Sequence, residues 1–306
     1  MSAAAARAKL TPATLAFLLL PPLFWAGNAV IGRAMVGQLP PMALSFWRWA
    51  IAFLLILPFT ARGMFAARAE IRARRYDLLV FGVAGVGVYN SFQYLALQTS
   101  PALNVTLIAS SGPVFTLLAG ALFFHAPVSR RQAGGALLSI AGVLWVVARG
   151  SVEQLVELRL TPGDGYILFA IAVWSIYTWL LRTRRPQIPA ATFLAVQIGI
   201  GAIAILPFYL VERAWTGIEI ALNPPVLLTL AYVGLLPSLA AYFCWDRAVA
   251  RTGATLPAYF VNLTPIFAAL LAVPFLGERI AGFHLVGALL IFAGIAIANR
   301  PVAART

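Results

Sequence analysis

The residues able to do chemistry in this chain are amides, hydroxyls, indoles and two inward-lying arginines, set in apolar stretches at helical spacing. Trp25 and Asn28 stand three apart, and Tyr89 and Gln93 four apart, so each pair shares one face of a helix. The same spacing joins Trp174 with Tyr177, Ser238 with Tyr242, and Tyr259 with Asn262; Asn104, Ser110 and Ser111 lie together on a further stretch. An amide or unpaired hydroxyl facing lipid costs several kcal/mol. These groups therefore face either other helices, as interhelical hydrogen bonds and interfacial aromatic belts, or a watery cavity with aromatic walls. A cavity of mixed aromatics and amides suits an amino acid with an apolar side chain.

Arg48 lies several residues inside an apolar stretch, and Arg33 lies near the end of another. An arginine at mid-membrane costs about 2.5–3.5 kcal/mol on insertion scales. Arg48 either attracts a substrate carboxylate, or snorkels to the interface or pairs with an acid; the cost favours the latter two, and more so for Arg33. Pro113 and Pro265 read as mid-helix positions that free a carbonyl and bend the helix, and so as paired hinges.

Catalytic chemistry finds no constellation. Asp77, Asp164 and Asp246 are isolated at predicted helix ends, whereas Mg²⁺-diphosphate chemistry needs several converging oxygens. No paired His and acid occurs at helical spacing, and there is no Gly-x-Ser-x-Gly elbow. Gly85 and Gly87 read as small residues for close helix contact. Cys244 stands alone and His125 and His284 lie near helix ends, so no catalytic residue, metal site or cofactor is expected. With no acid at the membrane centre, tight proton coupling is not expected. Asp246 and Glu278 are the remaining candidate proton carriers, each read first as an end-of-helix ion pair with Arg247 or Arg279.

The elements that must hold these residues follow from composition. The chain is 62% hydrophobic and 10% charged, with a mean hydropathy of +0.90; soluble domains are about 45–50% apolar and about 25% charged. A bilayer must be the solvent for most of it. About 20 apolar residues cross roughly 30 Å of hydrocarbon, and cutting at charges and Gly/Pro junctions predicts ten spans. These are 12–33, 42–60, 77–97, 102–124, 132–148, 164–181, 190–211, 226–245, 255–275 and 281–298. The first reads as an uncleaved helix rather than a signal peptide.

Orientation follows from the 22 cations. With the N-terminus inside, Arg7, Lys9, Arg62, Arg68, Arg72, Arg74, Arg75, Arg130, Arg131, Arg182, Arg184, Arg185, Arg247, Arg251, Arg300 and Arg305 all fall on the inner side. Only Arg33, Arg48, Arg149, Arg159, Arg213 and Arg279 fall on the other. The positive-inside rule thus places both termini in the cytoplasm of a multi-pass protein of a bacterial-type inner membrane. The net charge of +13 is a topology signal, not a nucleic-acid footprint.

The chain also repeats itself. At an offset of 152 residues, Leu78 meets Leu230, Gly82 meets Gly234, Pro113 meets Pro265, and GALLSIAG at 135–142 meets GALLIFAG at 287–294. The expected architecture is all-α, with one five-helix unit over 1–150 and a second over 151–306. Because five is odd, the second enters the membrane from the opposite side, as in many secondary transporters.

Three segments resemble the EamA-type branch of the drug/metabolite transporter superfamily: FWAGNAVIGRAMVGQLPPMALSFWRW (24–49), TSPALNVTLIASSGPVFTLLAGALFF (99–124) and PAYFVNLTPIFAALLAVPFLGERIAGFHLVGALLIFAGIAIANR (257–300). The resemblance covers nearly the whole chain. It implies ten helices in two inverted repeats, a central cavity walled mainly by helices 1, 3, 4, 6, 8 and 9, and export of amino acids, related metabolites or drugs. The residue pairs above lie on those helices, which strengthens the cavity reading. One departure stands out: the Gly-Glu that often ends helix 4 is His125–Ala126 here, whereas Gly277–Glu278 is present after helix 9. The expected function is alternating-access export of a small metabolite, most readily an amino acid, with membrane lipid as surroundings and a monomer as the unit. Drug or other metabolite efflux is the alternative; a channel or a membrane-embedded enzyme fits less well.

Overall fold

The computed structural model describes residues 11–156, 161–252 and 255–299, and every regular element among them is a helix. The first two are α1 (Pro12–Ala34) and α2 (Pro41–Ala66). A short surface helix, α3 (Arg68–Ala73), leads to α4 (Arg75–Thr99), which contains a π turn over Gly82–Val88. α5 (Ala102–Ala109) and α6 (Gly112–Phe124) meet at 43°. There follow α7 (Arg130–Val147), α8 (Val152–Val156), α9 (Pro162–Arg184) and α10 (Ala190–Thr216). α11 (Pro224–Thr252) holds a second π turn over Leu236–Ala240. α12 (Thr255–Val261), α13 (Thr264–Leu276) and α14 (Gly282–Asn299) complete the bundle.

Local chemistry sets the helix starts. Thr11 caps α1 ahead of Pro12, and Asn223 caps α11 ahead of Pro224. Reciprocal capping boxes, Ser129 with Gln132 and Thr161 with Asp164, open α7 and α9; each satisfies N–H groups that the helix itself leaves unpaired. Large apolar side chains such as Phe59, Leu122, Phe208, Leu270 and Leu289 stand exposed on the outside, as lipid requires.

Six helices (α1, α2, α4, α9, α10 and α11) are long and apolar enough to cross a bilayer, and the bent pair α5–α6 makes a seventh. The ten spans expected from sequence are thus not all met by length and composition. Stretch 132–148 falls on α7, which opens on Arg130 and Arg131. Stretch 255–275 is divided by a turn at Asn262–Leu263 into α12 and α13, and 281–298 falls on α14; α13 and α14 are apolar but shorter.

The 152-residue offset recurs in the backbone. The π turns end at Val88 and Ala240, and the helix breaks lie at Ser110–Ser111 and Asn262–Leu263. Left-handed caps occur at His125 (φ 52°) and Gly277 (φ 66°). Pro113 and Pro265 are therefore not mid-helix kinks. Each sits in the first turn of a new helix, where the missing N–H breaks no bond.

α7 and α14 pack through the repeated glycine motif. A Cβ on Gly135 would lie 2.5 Å from the Gly294 carbonyl oxygen, and one on Gly142 would lie 2.9 Å from that of Gly287. First glycine meets last in both directions, so the backbones touch where side chains would separate them. Gly134, next in sequence, has nothing within 4 Å of its Cβ position. Gly135→Leu is expected to lower stability by about 1–3 kcal/mol through overpacking, whereas Gly134→Leu does not lower it. Thermal unfolding of both variants in detergent micelles checks the contrast.

Candidate functional site

The site is built around Arg48, which α2 carries into the bundle at 2% exposure. Its Nε donates to Ser238 Oγ on α11 at 2.7 Å. Its Nη1 donates to Asn90 Oδ1 at 2.8 Å and Tyr94 Oη at 3.2 Å on α4, and to Asn28 Oδ1 on α1 at 3.3 Å. The guanidinium lies 4.5 Å from the Trp49 ring centroid. No carboxylate among the described residues lies within 4.0 Å of it, and Nη2 has no hydrogen-bond partner among them. The snorkelling or ion-paired arginine expected from sequence is thus corrected: the charge is buried, and its partners are neutral.

The two π turns orient those partners. A π turn leaves carbonyls out of the regular ladder, often at functional positions. Asn90 Nδ2 donates to Val86 O at 3.2 Å within the first, which turns Oδ1 toward Arg48. Ser238 Oγ donates to Val233 O at 2.7 Å, which leaves a lone pair for Nε. Tyr94 donates its hydroxyl hydrogen to Asn28 Oδ1, so its oxygen is free to accept. Four side chains from three helices thereby solvate one cation; Nη1 has two hydrogens for three acceptors, so the longer contacts to Tyr94 and Asn28 share one, while a full hydrogen bond to a charge contributes about 1.5–3 kcal/mol.

Aromatic walls flank this centre. On one side Trp25 meets Tyr242 edge-on at 6.2 Å and Trp245 at 6.1 Å, and Trp25 Nε1 donates to Pro237 O at 3.2 Å. On the other, Trp174 packs against Tyr89 at 4.8 Å and Tyr177 at 4.9 Å. Gln197 Nε2 donates to Tyr177 Oη at 3.1 Å. The close seat of Tyr177 needs Gly85, whose Cβ would stand 2.6 Å from the ring. Tyr242 packs against the buried cluster that holds Trp49, and Tyr89 and Tyr232 pack against the one that holds Tyr94.

The residues expected from sequence divide. Trp25, Asn28, Arg48, Tyr89, Trp174, Tyr177, Ser238 and Tyr242 come together here, and Gln93 is buried on α4. Asn104 instead bonds His284 Nε2 at 2.9 Å. Ser110 and Ser111 close on the carbonyls of Leu107 and Ile108 at the helix break, both at 2.6 Å. Asn262 lies at the matching break, and the side chain of Tyr259 lies outside the described residues. Asn90, Tyr94 and Tyr232 were not anticipated. Asn90 and Tyr94 do stand four apart, one position on from Tyr89 and Gln93.

Carboxylates act elsewhere, at the end of the bundle away from the start of α1. Pro40 and Pro101, the N-cap residues of α2 and α5, offer no side-chain acceptor. Glu212 supplies it for Met42 N and Ala43 N at 3.1 and 2.9 Å, and Glu278 for Ala102 N and Leu103 N at 2.7 and 3.0 Å. Glu278 is therefore a helix cap rather than an ion-pair partner of Arg279, and Arg247 lies over the Phe243 ring rather than pairing with Asp246. Arg33 binds the last carbonyls of α4, Leu97 O at 2.7 Å and Gln98 O at 3.0 Å. Ser100 Oγ joins Asp164 Oδ1 at 2.8 Å.

A multi-pass helical membrane protein whose spans enclose a polar, aromatic-walled centre belongs among the membrane transporters. The chain belongs to the EamA-like transporter family, whose model matches residues 13–148 and again 161–300. An "Uncharacterized transporter" of Archaeoglobus fulgidus is 28% identical over 91% of this chain and 94% of its own. A "Probable amino-acid metabolite efflux pump" of Salmonella typhimurium is 26% identical over 91% and 92%. A "Probable terminal-alkyne amino-acid exporter" of Streptantibioticus cattleyicolor is 26% identical over 75% of each chain. A protein of known crystal structure shares the fold, with a TM-score of 0.59 at 22% identity over 94% of this chain and 96% of its own.

The hydrogen bonds to Arg48 should outweigh a neutral pair nearby. Asn90→Leu is expected to cost about 1.5–3 kcal/mol. Ser45→Ala, which removes one partner of the buried 2.9 Å Ser45–Ser91 hydroxyl pair, is expected to cost about 1 kcal/mol. Chemical denaturation in micelles ranks the two.

Proposed function

We propose that this protein is an alternating-access exporter of small carboxylate-bearing metabolites, most readily amino acids with an aromatic or other apolar side chain. The observation that carries the reading is the buried Arg48 guanidinium, with neutral partners and an unused Nη2 edge beside aromatic walls. A buried cation left without an anion is unfavourable. A substrate carboxylate supplies the counter-charge, and the indole and phenol rings receive its side chain. The names of two relatives, an amino-acid metabolite efflux pump and an amino-acid exporter, point the same way.

In this reading the chain comprises two five-helix halves, 1–150 and 151–306, inverted in the membrane, with both termini in the cytoplasm of a bacterial-type inner membrane. The common offset of π turns, helix breaks and left-handed caps supports the repeat, and the crossed glycine contacts of α7 and α14 suit a two-fold axis between them. Glu212, Glu278 and Arg33 tie helices together at the outer end, which makes that end the closed gate of this conformer. Pro113 and Pro265, beside the helix breaks, serve as hinges.

The test is counterflow in liposomes preloaded with unlabelled amino acids, with labelled phenylalanine and threonine outside. Saturable uptake that needs the internal amino acid is expected. Phenylalaninamide, which lacks the carboxylate, should compete at least tenfold more weakly than phenylalanine. Arg48→Gln should abolish uptake while Arg48→Lys retains part of it. Undiminished flux in Arg48→Gln would refute the carboxylate role, and absence of counterflow by folded protein would turn the search to drugs and other metabolites.

A further inference from the structure

A groove of about 380 Å³ runs along the outside of the bundle between α2 and α10, and α3 closes one end. Phe53, Val196, Ile200 and Ile203 line its length, and Arg68 and Arg72 stand at its mouth. From Val196 to Ile203 the wall rises about 10 Å along α10, beginning about 9 Å from the first residue of that helix, at 1.5 Å per residue. α10 has 27 residues, about 40 Å at that rise, so the groove ends near the helix midpoint, about 20 Å along. The groove therefore lies within one leaflet, on the side where α1 begins, which is the cytoplasmic side in the orientation proposed above, and opens toward lipid.

Charge is sorted along this segment. Arg68 and Arg72 are four apart, on the face of α3 that also presents Ile71 to the groove. The nearby acids are engaged elsewhere: Glu70 lies 3.8 Å from Arg74, and Asp77 lies 3.4 Å from Arg74 and 3.6 Å from Arg184. No carboxylate among the described residues lies within 4.0 Å of Arg68 or Arg72. Arg68 is steadied at the mouth by Phe65, donating to its carbonyl at 3.0 Å and lying 4.4 Å from its ring centroid. An apolar slot of one-leaflet depth that ends in two guanidinium groups with no carboxylate beside them among the described residues matches one kind of occupant in a bilayer.

We propose that this groove is a binding site for an anionic phospholipid, with an acyl chain against Phe53, Ile200 and Ile203 and the phosphate between Arg68 and Arg72. Basic pockets between spans on the cytoplasmic side recognise anionic headgroups through charge at the interface. A free phosphate would meet the arginines but leave the slot unfilled. A zwitterionic lipid would fill the slot but bring its own cation to the mouth. The site is separate from Arg48 and does not depend on the substrate.

The experiment uses the full chain in phosphatidylcholine liposomes with trace spin-labelled phosphatidylglycerol or spin-labelled phosphatidylcholine. Electron paramagnetic resonance then reads the motionally restricted fraction of each. The restricted fraction should be larger for phosphatidylglycerol. Loss of either arginine should weaken that preference about fivefold, since each contributes on the order of 1 kcal/mol near a charged surface, and Arg68→Gln/Arg72→Gln should remove it. Arg74→Gln/Arg75→Gln, equally basic but off the groove, should leave the preference in place. Ile203→Trp, at a position 72% exposed and so tolerant of bulk, should reduce retention by narrowing the slot. Equal restriction of the two lipids in the wild type overturns the proposal. So does a loss in Arg74→Gln/Arg75→Gln as large as that in Arg68→Gln/Arg72→Gln, which would mark diffuse surface charge. Displacement by inorganic phosphate with no effect of Ile203→Trp would reassign the arginines to a free anion.

Discussion

A guanidinium buried inside a membrane protein without a carboxylate must be solvated by dipoles, and much of this bundle is arranged to supply them. Arg48 draws on α1, α4 and α11 at once. Its acceptors are oriented by their own hydrogen bonds: Asn90 donates to Val86 O within the first π turn, Ser238 in the second donates back to Val233 O ahead of it, and Tyr94 donates to Asn28. The irregular backbone at Gly82–Val88 and Leu236–Ala240 is thus part of the solvation of one charge. It is tolerated at membrane depth because it is enclosed by protein rather than lipid.

The two proposed halves share backbone devices but not carboxylates. Pro40, the N-cap of α2, and Pro58 within it correspond at a common offset to Pro189, the N-cap of α10, and Pro207 within it, which sets Gly63 opposite Glu212. Gly63 approaches Thr192 near the start of α10, with 2.5 Å from its Cβ position to Thr192 Oγ1, but offers no acceptor there. Ala126 likewise stands where the second half has Glu278. Both capping carboxylates therefore come from the second half and act at the same end. A carboxylate on two N–H groups at a helix start combines charge-assisted hydrogen bonds with the helix dipole, so that end is bound more firmly than symmetry alone would give.

Much of the fold was legible in the sequence because lipid imposes simple rules. Apolar runs located the six long helices to within several residues, and the GALL…AG motifs fall on α7 and α14, which pack together. What periodicity missed is physical in origin. Spacing shows which residues share a face but not which face meets the charge: Asn90 and Tyr94 have the same four-residue spacing as Tyr89 and Gln93. Tyr89 and Gln93 were visible as a pair, while Asn90 and Tyr94, which bind Arg48, were not. The helix breaks moved Ser110 and Ser111 from wall residues to local backbone partners. Glu278 was misassigned because its partners, two backbone N–H groups after Pro101, are distant in sequence and carry no side-chain signal.

Arg48 was misjudged for a more instructive reason. The cost of placing an arginine in hydrocarbon is real, but it argues for snorkelling or an ion pair only when neutral dipoles cannot gather around the charge. Here they do, and the difference bears on transport. A resident carboxylate would hold the guanidinium in one arrangement and leave little for an incoming anion to gain. Neutral acceptors leave net positive charge unbalanced, and a carboxylate arriving at the unused Nη2 edge gains the full electrostatic interaction. Because those acceptors belong to helices of both proposed halves, any rearrangement of the shell around a bound anion also shifts how α1, α4 and α11 hold together. In the proposed export cycle, binding and helix movement would then be linked through a single side chain.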